Sequence, residues 1–326
     1  MVDPSADAPS PSRSRPDGRA LRNPPAPPQG VRPDGRTPIT IAQISDPHVG
    51  SPHFVPNLMN RVLFELDEQQ PDAVICTGDL TNDGFQQEFR AAAAYFRQIK
   101  QPFLVIPGNH DSRNVGYLHF EKLFGPRHWT ADFGSVRIVA VDSSEPDLNE
   151  GRIGRERYEW IRQSFDCEAE LKVFALHHHL IPVPGTGRER STVKDAGDVL
   201  ELLLASGVDL VLTGHKHVPH VWRLEHMYVA NAGTMSSLRL RGETKPCYSI
   251  IVYERGQVRI HRKYPFGPST LIAHWNVRTG EQYHREFEPL FAAPLRAHEP
   301  LRAKEKDTAP QAIENALVED PPRRAG

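Results

Sequence analysis

Hydrophobic residues in the middle of the chain, from about residue 37 to 264, fall into short continuous runs rich in valine and isoleucine. Continuous apolar runs are typical of strands buried on both faces. They predict strands at 39–44, 73–76, 103–106, 136–141, 173–176 and 208–212. Apolar residues at three-to-four spacing predict helices at 57–69, 86–98, 156–164 and 196–205. This succession indicates an α/β fold in which helices cover sheets.

After Gly214 the apolar runs follow one another without long helices between them. They lie at 220–224, 227–229, 248–253 and 258–263, and they predict a second, more antiparallel sheet. No apolar run approaches the roughly 20 residues needed to cross a bilayer. The N-terminal region is rich in proline and arginine and lacks the apolar core of a signal peptide, so we expect a cytoplasmic protein with no membrane association.

Composition separates two tails from the central region. Residues 1–36 and 296–326 are Pro- and Arg-rich or charged and carry few apolar residues, so we predict that both are disordered. The remaining residues, 37–295, are predicted to form one domain.

Lysine and arginine number 39 against 41 aspartate and glutamate, a net charge of −2 that gives no long-range attraction for nucleic acid. The three cysteines have no CxxC spacing, which argues against a disulfide framework or a zinc ribbon and favours a reducing compartment.

The candidate chemistry lies directly after the predicted strands. Five of them end in groups that can bind metal: Ser45-Asp46-Pro47-His48, Thr77-Gly78-Asp79, Pro107-Gly108-Asn109-His110-Asp111, His177-His178-His179 and Thr213-Gly214-His215-Lys216-His217. In α/β sheets the carboxyl ends of the strands open onto the ligand-binding crevice. We therefore expect these loops to converge in space.

The converging groups form a mixed nitrogen and oxygen donor set without thiolate, which suits Mn, Fe, Zn or Ni. They are Asp46, His48, Asp79, Asn109, His177, His215 and His217. Seven groups are too many for one tetrahedral ion, but they suit two ions that share a bridging carboxylate. Two divalent ions, two carboxylates and a hydroxide would leave about +1 at the site, which attracts phosphate. Gly78, Gly108 and Gly214 each precede a proposed ligand, where the absence of a side chain permits close backbone approach.

These motifs resemble, in order, the motif set of the calcineurin-like metallophosphoesterases: Asp46-x-His48, Gly78-Asp79, Gly108-Asn109-His110-Asp111, His177 and Gly214-His215-x-His217. The segments Val141-Asp142-Ser143-Ser144 and Gly151-Arg152-Ile153 are similar to the bacterial branch that contains cyclic-nucleotide and glycerophosphodiester phosphodiesterases. The resemblance implies two packed mixed β-sheets flanked by helices, a four-layer αββα sandwich. It also implies one metal held by Asp46, His48, Asp79 and His217, and a second held by Asp79, Asn109, His177 and His215, with Asp79 bridging.

The resemblance also places His110 near the leaving-group oxygen. A metal-bridging hydroxide would attack phosphorus, while His110 stabilises the transferring group and donates a proton to the departing alkoxide. Asp111 is predicted to orient that imidazole or keep it charged. Arg113 is a candidate for contact with a substrate phosphate, with a surface ion pair as the alternative.

One departure from the family pattern affects the third histidine motif. Relatives commonly have His-His-Pro-Pro, whereas this chain has His-His-His-Leu at 177–180. Alignment of the preceding strand makes His177 the ligand and His178 the alternative. Whether His178 and His179 touch metal or substrate stays open at this point.

We therefore predict a binuclear metal-dependent phosphohydrolase that uses two Mn, Fe or Zn ions, acts on a small phosphate ester and is a phosphodiesterase of the cyclic-nucleotide type. A glycerophosphodiesterase or a phosphomonoesterase is the first alternative, since only the rim of the site would differ. A nuclease is a weaker alternative because no basic groove is visible. A scaffold that lost catalysis is disfavoured because every ligand position and His110 are intact. A homodimer is left open.

Overall fold

The computed structural model describes residues 38–186, 191–241 and 244–286. The predictions of disorder at 1–36 and 296–326 lie outside the described residues. Within those residues the strands are β1 (Ile39–Ile44), β2 (Ala73–Cys76), β3 (Phe103–Val105), β4 (Trp129–Phe133), β5 (Val136–Ala140), β6 (Leu171–Ala175), β7 (Leu210–Thr213), β8 (His220–Leu224), β9 (Met227–Asn231), β10 (Tyr248–Glu254), β11 (Gln257–Lys263), β12 (Ser269–Asn276) and β13 (Gln282–Arg285). The α-helices are α1 (Pro56–Gln69), α2 (Gln86–Phe96), α3 (Gly116–Phe124), α4 (Tyr158–Ser164) and α5 (Ala196–Ala205). None of these helices is both long and apolar enough to span a membrane.

The strands form two mixed sheets. One has seven strands in the order β13-β12-β11-β10-β1-β2-β3, and the other has six in the order β4-β5-β6-β7-β9-β8. Strands β1, β2 and β3 are parallel to one another, as are β5, β6, β7 and β9, while the remaining pairs are antiparallel. The predicted fold class, two mixed sheets flanked by helices, is confirmed.

The prediction that the strands after Gly214 form a sheet of their own is wrong. Strand β9 pairs in parallel with β7, through partners such as Leu212 and Ala230, and thereby extends the six-stranded sheet. Strand β10 pairs antiparallel with β1, with Ile41 opposite Ile251, and extends the other sheet. Each of these late strands supplies hydrogen bonds to an edge that the earlier α/β segments leave open.

Burial on both faces explains the continuous apolar runs. In β1, Ile41 joins a core cluster built from strands of both sheets, whereas Ala42 and Ile44 join a second cluster shared with α1, α2 and α3. On the other sheet, Phe174 of β6 packs in a third cluster together with residues of α4 and α5. The order of layers is therefore helices, sheet, sheet, helices.

Local signals set the beginning and end of the helices. Pro56 occupies the first turn of α1, where its missing N–H costs nothing, and Gln70 ends the helix in the left-handed conformation with φ of 47°. At the start of α2 the Glu88 carboxylate accepts hydrogen bonds from the backbone N–H groups of Asp83 (2.9 Å) and Phe85 (3.2 Å). Asp79 lies in the loop between β2 and α2, and these contacts hold that loop in place against the start of α2.

The carboxyl ends of the parallel strands from both sheets meet at one edge of the sandwich. The backbone N–H of Asp46 donates to the carbonyl of Gly78 at 3.0 Å, and that of Gly214 donates to the carbonyl of His177 at 2.9 Å. The N–H of His215, from the six-stranded sheet, donates to the Asp46 carboxylate of the other sheet, 3.1 Å from Oδ2. The loops predicted to converge are thus hydrogen-bonded to one another.

Candidate metal centre

Acid and imidazole side chains from these loops form three overlapping groups, and within each group the candidate ligand atoms lie within 4.8 Å of one another. The groups are Asp46, His48 and His217; His48, Asp79 and His110; and Asp79, His177 and His215. All of these side chains are buried except that of His215, which is partly exposed. The first and third groups match the two halves of the predicted ligand set.

Asp79 lies between the two halves. Its Oδ2 atom is 3.7 Å from Nε2 of His48 in one half and 3.3 Å from Nε2 of His177 in the other. Its second oxygen, Oδ1, accepts the backbone N–H of His110 at 2.9 Å. One oxygen is therefore held by the backbone while the other faces both halves, which is the arrangement that a bridging ligand requires.

Asn109 completes the second half through its amide oxygen. The Oδ1 atom lies 2.9 Å from Nδ1 of His215 and 3.2 Å from Nε2 of His177. The side chain is 2% exposed, so this oxygen has little access to water. An amide oxygen surrounded by imidazole nitrogens is a suitable donor for a divalent cation.

The proton positions of two histidines test whether the donor set fits metal ions. Nδ1 of His217 donates to the carbonyl of Arg239 at 2.5 Å, and Nδ1 of His177 donates to the carbonyl of Thr77 at 2.7 Å. In the neutral form each ring therefore directs an Nε2 lone pair into the site. Nε2 of His217 lies 2.9 Å from Nε2 of His48, a separation at which two facing lone pairs repel unless a proton or a cation lies between them. The residues present fit a pair of divalent ions.

Burial and neighbouring charges shift the pKa values of the candidate ligands in different directions. Burial opposes ionisation of Asp79, but the nearby imidazoles of His177 and His110 outweigh it and lower the pKa of Asp79 well below its usual range. Burial lowers the pKa of His48 to about 3. For His177, burial is outweighed by Asp79, which raises the pKa to about 9. The site thus combines buried carboxylates with one imidazole of lowered pKa, His48, and one of raised pKa, His177. Such opposite shifts are expected where metal ions take the place of protons on the ligand atoms.

Backbone strain also concentrates here. Five of the seven predicted ligands have φ between 49° and 69°, in the left-handed region that non-glycine residues seldom adopt: Asp46, His48, Asp79, His215 and His217. Such conformations persist where the surrounding structure imposes them and cluster at functional sites. The sequence pattern did not predict this feature.

The glycine before Asn109 is required by close packing. A Cβ atom on Gly108 would lie 2.2 Å from Oδ1 and 2.5 Å from the backbone nitrogen of Asp79. Gly214 is similar, because a Cβ there would lie 2.2 Å from Oγ of Ser45 and 2.7 Å from Oδ2 of Asp46. Both glycines allow one ligand loop to pack directly against the ligand of another.

Gly108→Ala is therefore expected to displace Asp79, to weaken metal binding and to lower the free energy of unfolding by about 1–3 kcal/mol. The matched control is Gly197→Ala near the start of α5, where an added Cβ meets nothing within 4 Å. That control should be neutral or slightly stabilising. Chemical denaturation and metal titration of both variants measure the difference, and equal behaviour of the two would contradict the packing argument.

The Asp111 carboxylate bonds to backbone groups of two neighbouring loops, and its predicted role toward His110 stays a prediction. Its Oδ2 accepts the backbone N–H groups of Leu80 (3.0 Å) and Gly108 (2.9 Å). Its Oδ1 accepts the N–H (2.9 Å) and the hydroxyl (2.7 Å) of Thr81. These hydrogen bonds occupy the carboxylate and tie the loop after β2 to the loop after β3. Asp111 therefore positions the Asp79 and Asn109 loops through the backbone, and no described hydrogen bond joins it to the His110 imidazole.

His110 lies at the edge of the metal-ligand cluster, in edge-to-face contact with the His48 ring at 4.6 Å between centroids. Its Nδ1 atom is close to the carbonyl of Asn82 and lies 2.9 Å from Nη1 of Arg113. The Arg113 guanidinium is 27% exposed and also pairs with Asp83 at 3.3 Å. Arg113 thus forms the ion pair that we considered as the alternative, and it also contacts His110. Its contact with substrate stays a prediction.

The histidine triplet divides by environment. His177 joins the ligand cluster, whereas Nδ1 of His178 lies 2.8 Å from the hydroxyl of Ser143, which also accepts the His178 backbone N–H at 3.1 Å. The His179 ring stacks on His215 with 5.6 Å between centroids. Among the described residues, the clusters of candidate ligand atoms include His177 and neither of the other two. His177 is thus the best placed of the three to bind metal.

Three further contributors escaped the sequence analysis. The backbone carbonyls of Thr77 and Arg239 orient ligand histidines, and any residue type can supply a carbonyl, so composition carries no signal for them. Asn149 contacts Asn109 from a loop 40 positions away in the chain. Its only sequence signal is its proximity to the Gly151-Arg152-Ile153 segment.

Comparison with known proteins identifies the same region. Residues 39–219, more than half of the chain, match the family model described as Calcineurin-like phosphoesterase. A probable cyclic nucleotide phosphodiesterase of Synechococcus sp. is 27% identical over 199 residues, covering 55% of this chain and 73% of that protein. A probable glycerophosphodiester phosphodiesterase of Arcobacter nitrofigilis is 29% identical over 156 residues, covering 43% of this chain and 57% of that protein. A 3',5'-cyclic-nucleotide phosphodiesterase of Nostoc sp. is 25% identical over 206 residues, covering 56% of this chain and 73% of that protein.

Solved structures share the fold at low sequence identity. The purple acid phosphatase from yellow lupin seeds superposes with a TM-score of 0.59 at 15% identity, covering 76% of this chain and 53% of that one. GAP50, the anchor in the inner membrane complex of Plasmodium, superposes with a TM-score of 0.54 at 12% identity, covering 77% of this chain and 89% of that one. These similarities concern the architecture of two sheets and flanking helices.

Proposed function

The chain belongs to the calcineurin-like phosphoesterase family, and on this basis we propose that it is a binuclear metal-dependent phosphodiesterase whose substrates are cyclic nucleotides. The observation that carries the proposal is the position of Oδ2 of Asp79 between the imidazoles of His48 and His177. A single oxygen facing two sets of buried donors is the feature that a pair of ions needs. Phosphoryl transfer is the chemistry that such a pair commonly assists.

The residues that would hold the ions are those predicted from the motifs. Asp46, His48, Asp79 and His217 would hold one ion, and Asp79, Asn109, His177 and His215 would hold the other; the three ligand clusters and the contacts of Asn109 support this division. When bound, two divalent ions supply activation of a water molecule and neutralisation of charge on the phosphate. The buried carboxylates and imidazoles provide the fixed, water-poor surroundings in which such charges act strongly.

We assign the proton of the leaving group to His110. Because the Arg113 guanidinium, 2.9 Å away, can only donate to Nδ1, the proton of the neutral ring lies on Nε2, from which it can pass to the departing oxygen. Arg113 has only donors, and its partly exposed guanidinium beside His110 would hold a phosphate oxygen of the substrate. Together they orient the leaving group and stabilise the negative charge that develops on it.

The choice among related activities depends on the rim of the site. Of eight similar relatives, seven are named as cyclic nucleotide phosphodiesterases and one as a glycerophosphodiester phosphodiesterase, and we favour the former activity on that ground. GAP50 has the same fold and is named an anchor, so the fold alone does not decide between enzyme and scaffold. The intact ligand set favours the enzyme. Three statements stay predictions: that the metals are Mn, Fe or Zn, that the protein is cytoplasmic, and that it forms a homodimer.

The proposal is tested with the purified full chain, bis(p-nitrophenyl) phosphate and added Mn. We expect hydrolysis that a chelator abolishes and that Mn restores, since the ligand set has to be filled for activity. A second series compares 3',5'-cyclic nucleotides, glycerophosphodiesters and p-nitrophenyl phosphate. Faster turnover of the monoester or of glycerophosphodiesters would identify the alternative enzyme, and inactivity with two ions bound would favour the scaffold.

A further inference from the structure

Asn109 can bind metal only if its amide presents oxygen and not nitrogen to the site. The two ends of the amide have nearly the same shape, so the partner of the other end decides the orientation. The Nδ2 atom of Asn109 donates to Oδ1 of Asn149 at 3.2 Å. Asn149 therefore favours the rotamer that points Oδ1 of Asn109 toward His177 and His215.

The orientation of Asn149 is itself fixed. Nη2 of Arg113 donates to the same Oδ1 atom at 2.9 Å. Because a guanidinium has donors and no acceptor, the atom of Asn149 that faces it has to be the oxygen. One exposed amide oxygen thus receives hydrogen bonds both from the Asn109 amide and from Arg113.

The loop that carries Asn149, residues 144–151, is anchored at both ends and near its tip. Ser144 and Gly151 form a β-bridge across its base, and the N–H of Lys194 donates to the carbonyl of Gly151 at 2.8 Å. Near the tip, Oδ1 of Asp147 accepts the backbone N–H of Asn114 at 2.9 Å. The loop therefore delivers Asn149 to a defined position even though its side chain is exposed.

We propose that Asn149 is a positioning residue that orients the Asn109 amide and thereby sets the affinity of the second metal position, the one surrounded by Asn109, His177 and His215. This inference depends on the two-metal site of the proposed function. Partners that orient a metal ligand typically change metal affinity by about 10–100-fold when they are removed. Since Asn149 is exposed, its loss should affect the ligand far more than the fold.

The experiment measures Mn binding to the full chain by calorimetry, with metal-free melting as a separate readout. Asn149→Ala should weaken one of two binding events by about 10–100-fold and leave the other event and the metal-free melting temperature unchanged. Asn149→Asp keeps an acceptor oxygen for both donors and should restore affinity close to wild type. Leu148→Ala, a change at an exposed neighbour in the same loop, is the matched control and should behave as wild type.

A double-variant cycle identifies the route of the effect. In an Asn109→Ala background, adding Asn149→Ala should cause no further loss of affinity, because the amide that it orients is already absent. Three results would each overturn the positioning role. The first is wild-type affinity of Asn149→Ala for both ions, and the second is an equally large loss of affinity when Asn149→Ala is added to Asn109→Ala. The third is a lowered metal-free melting temperature of Asn149→Ala. Uptake of fewer than two ions by the wild type would instead contradict the proposed function, and this inference with it.

Discussion

Asp79→Ala is expected to abolish binding of both metal ions and to lower phosphodiester hydrolysis by more than about 100-fold. Its Oδ2 atom lies 3.7 Å from Nε2 of His48 and 3.3 Å from Nε2 of His177, so each half of the site loses a donor at once. Removing a residue that merely orients a ligand costs about 10–100-fold, and removing a shared ligand should cost more. Metal content per chain and turnover of bis(p-nitrophenyl) phosphate are the two measurements.

Two further variants isolate the cause. Asp79→Asn keeps the shape and an acceptor for the His110 N–H but removes the charge, so it should retain the fold while binding metal poorly. Asp67→Ala removes a carboxylate from the exposed face of α1, where its partner is Lys100 at 2.7 Å, and should leave both measurements unchanged. Two ions per chain in Asp79→Ala would refute the assignment of the bridge.

His110→Ala is expected to spare metal content and to lower turnover by about 10²–10⁴-fold, the usual contribution of a positioned proton donor. The loss should be largest for substrates with poor leaving groups, because a good leaving group departs without a proton. A series of aryl phosphodiesters with leaving groups of increasing pKa measures this dependence. Loss of metal from His110→Ala would instead assign His110 as a metal ligand. The structure offers this alternative because His110 forms one cluster of candidate ligand atoms with His48 and Asp79.

The matched control is His226→Ala, which removes an exposed imidazole from the turn between β8 and β9. It should leave turnover and its dependence on the leaving group unchanged. Equal losses for good and poor leaving groups in His110→Ala would contradict the role of proton donor. They would leave charge stabilisation as the remaining role for this side chain.

The sequence predicted strands and helices well where burial produces a simple pattern. Strands β1 and β2 and helix α5 occupy the predicted positions, because both faces of those strands are buried and α5 has a single apolar face. Strand β4 was missed because its buried residues Trp129, Ala131 and Phe133 alternate with partly exposed ones and so form no continuous apolar run. Helix α3 was also missed, although Phe120 and Phe124 lie on its buried face at a spacing of four.

The seven ligand positions followed from residue types at strand ends, because parallel strands bring their carboxyl ends to one edge of a sheet. The details of the site did not follow, since they depend on which atoms meet through space. Asp111 is next to His110 in the chain, yet its carboxylate bonds to the backbone of Leu80, Thr81 and Gly108. Adjacency in sequence did not give adjacency of the functional groups.

The sequence by itself thus determined the family, the donor types and the strand ends that carry them, because those properties belong to individual side chains and to the local periodicity of burial. Only the tertiary structure decided that His177, not its two neighbours, joins the ligand cluster, that the carbonyls of Thr77 and Arg239 orient imidazoles, and that Asn149 meets Asn109. Those contacts join segments far apart in the chain. Their distances are set by the packing of two sheets, which no local pattern of residues records.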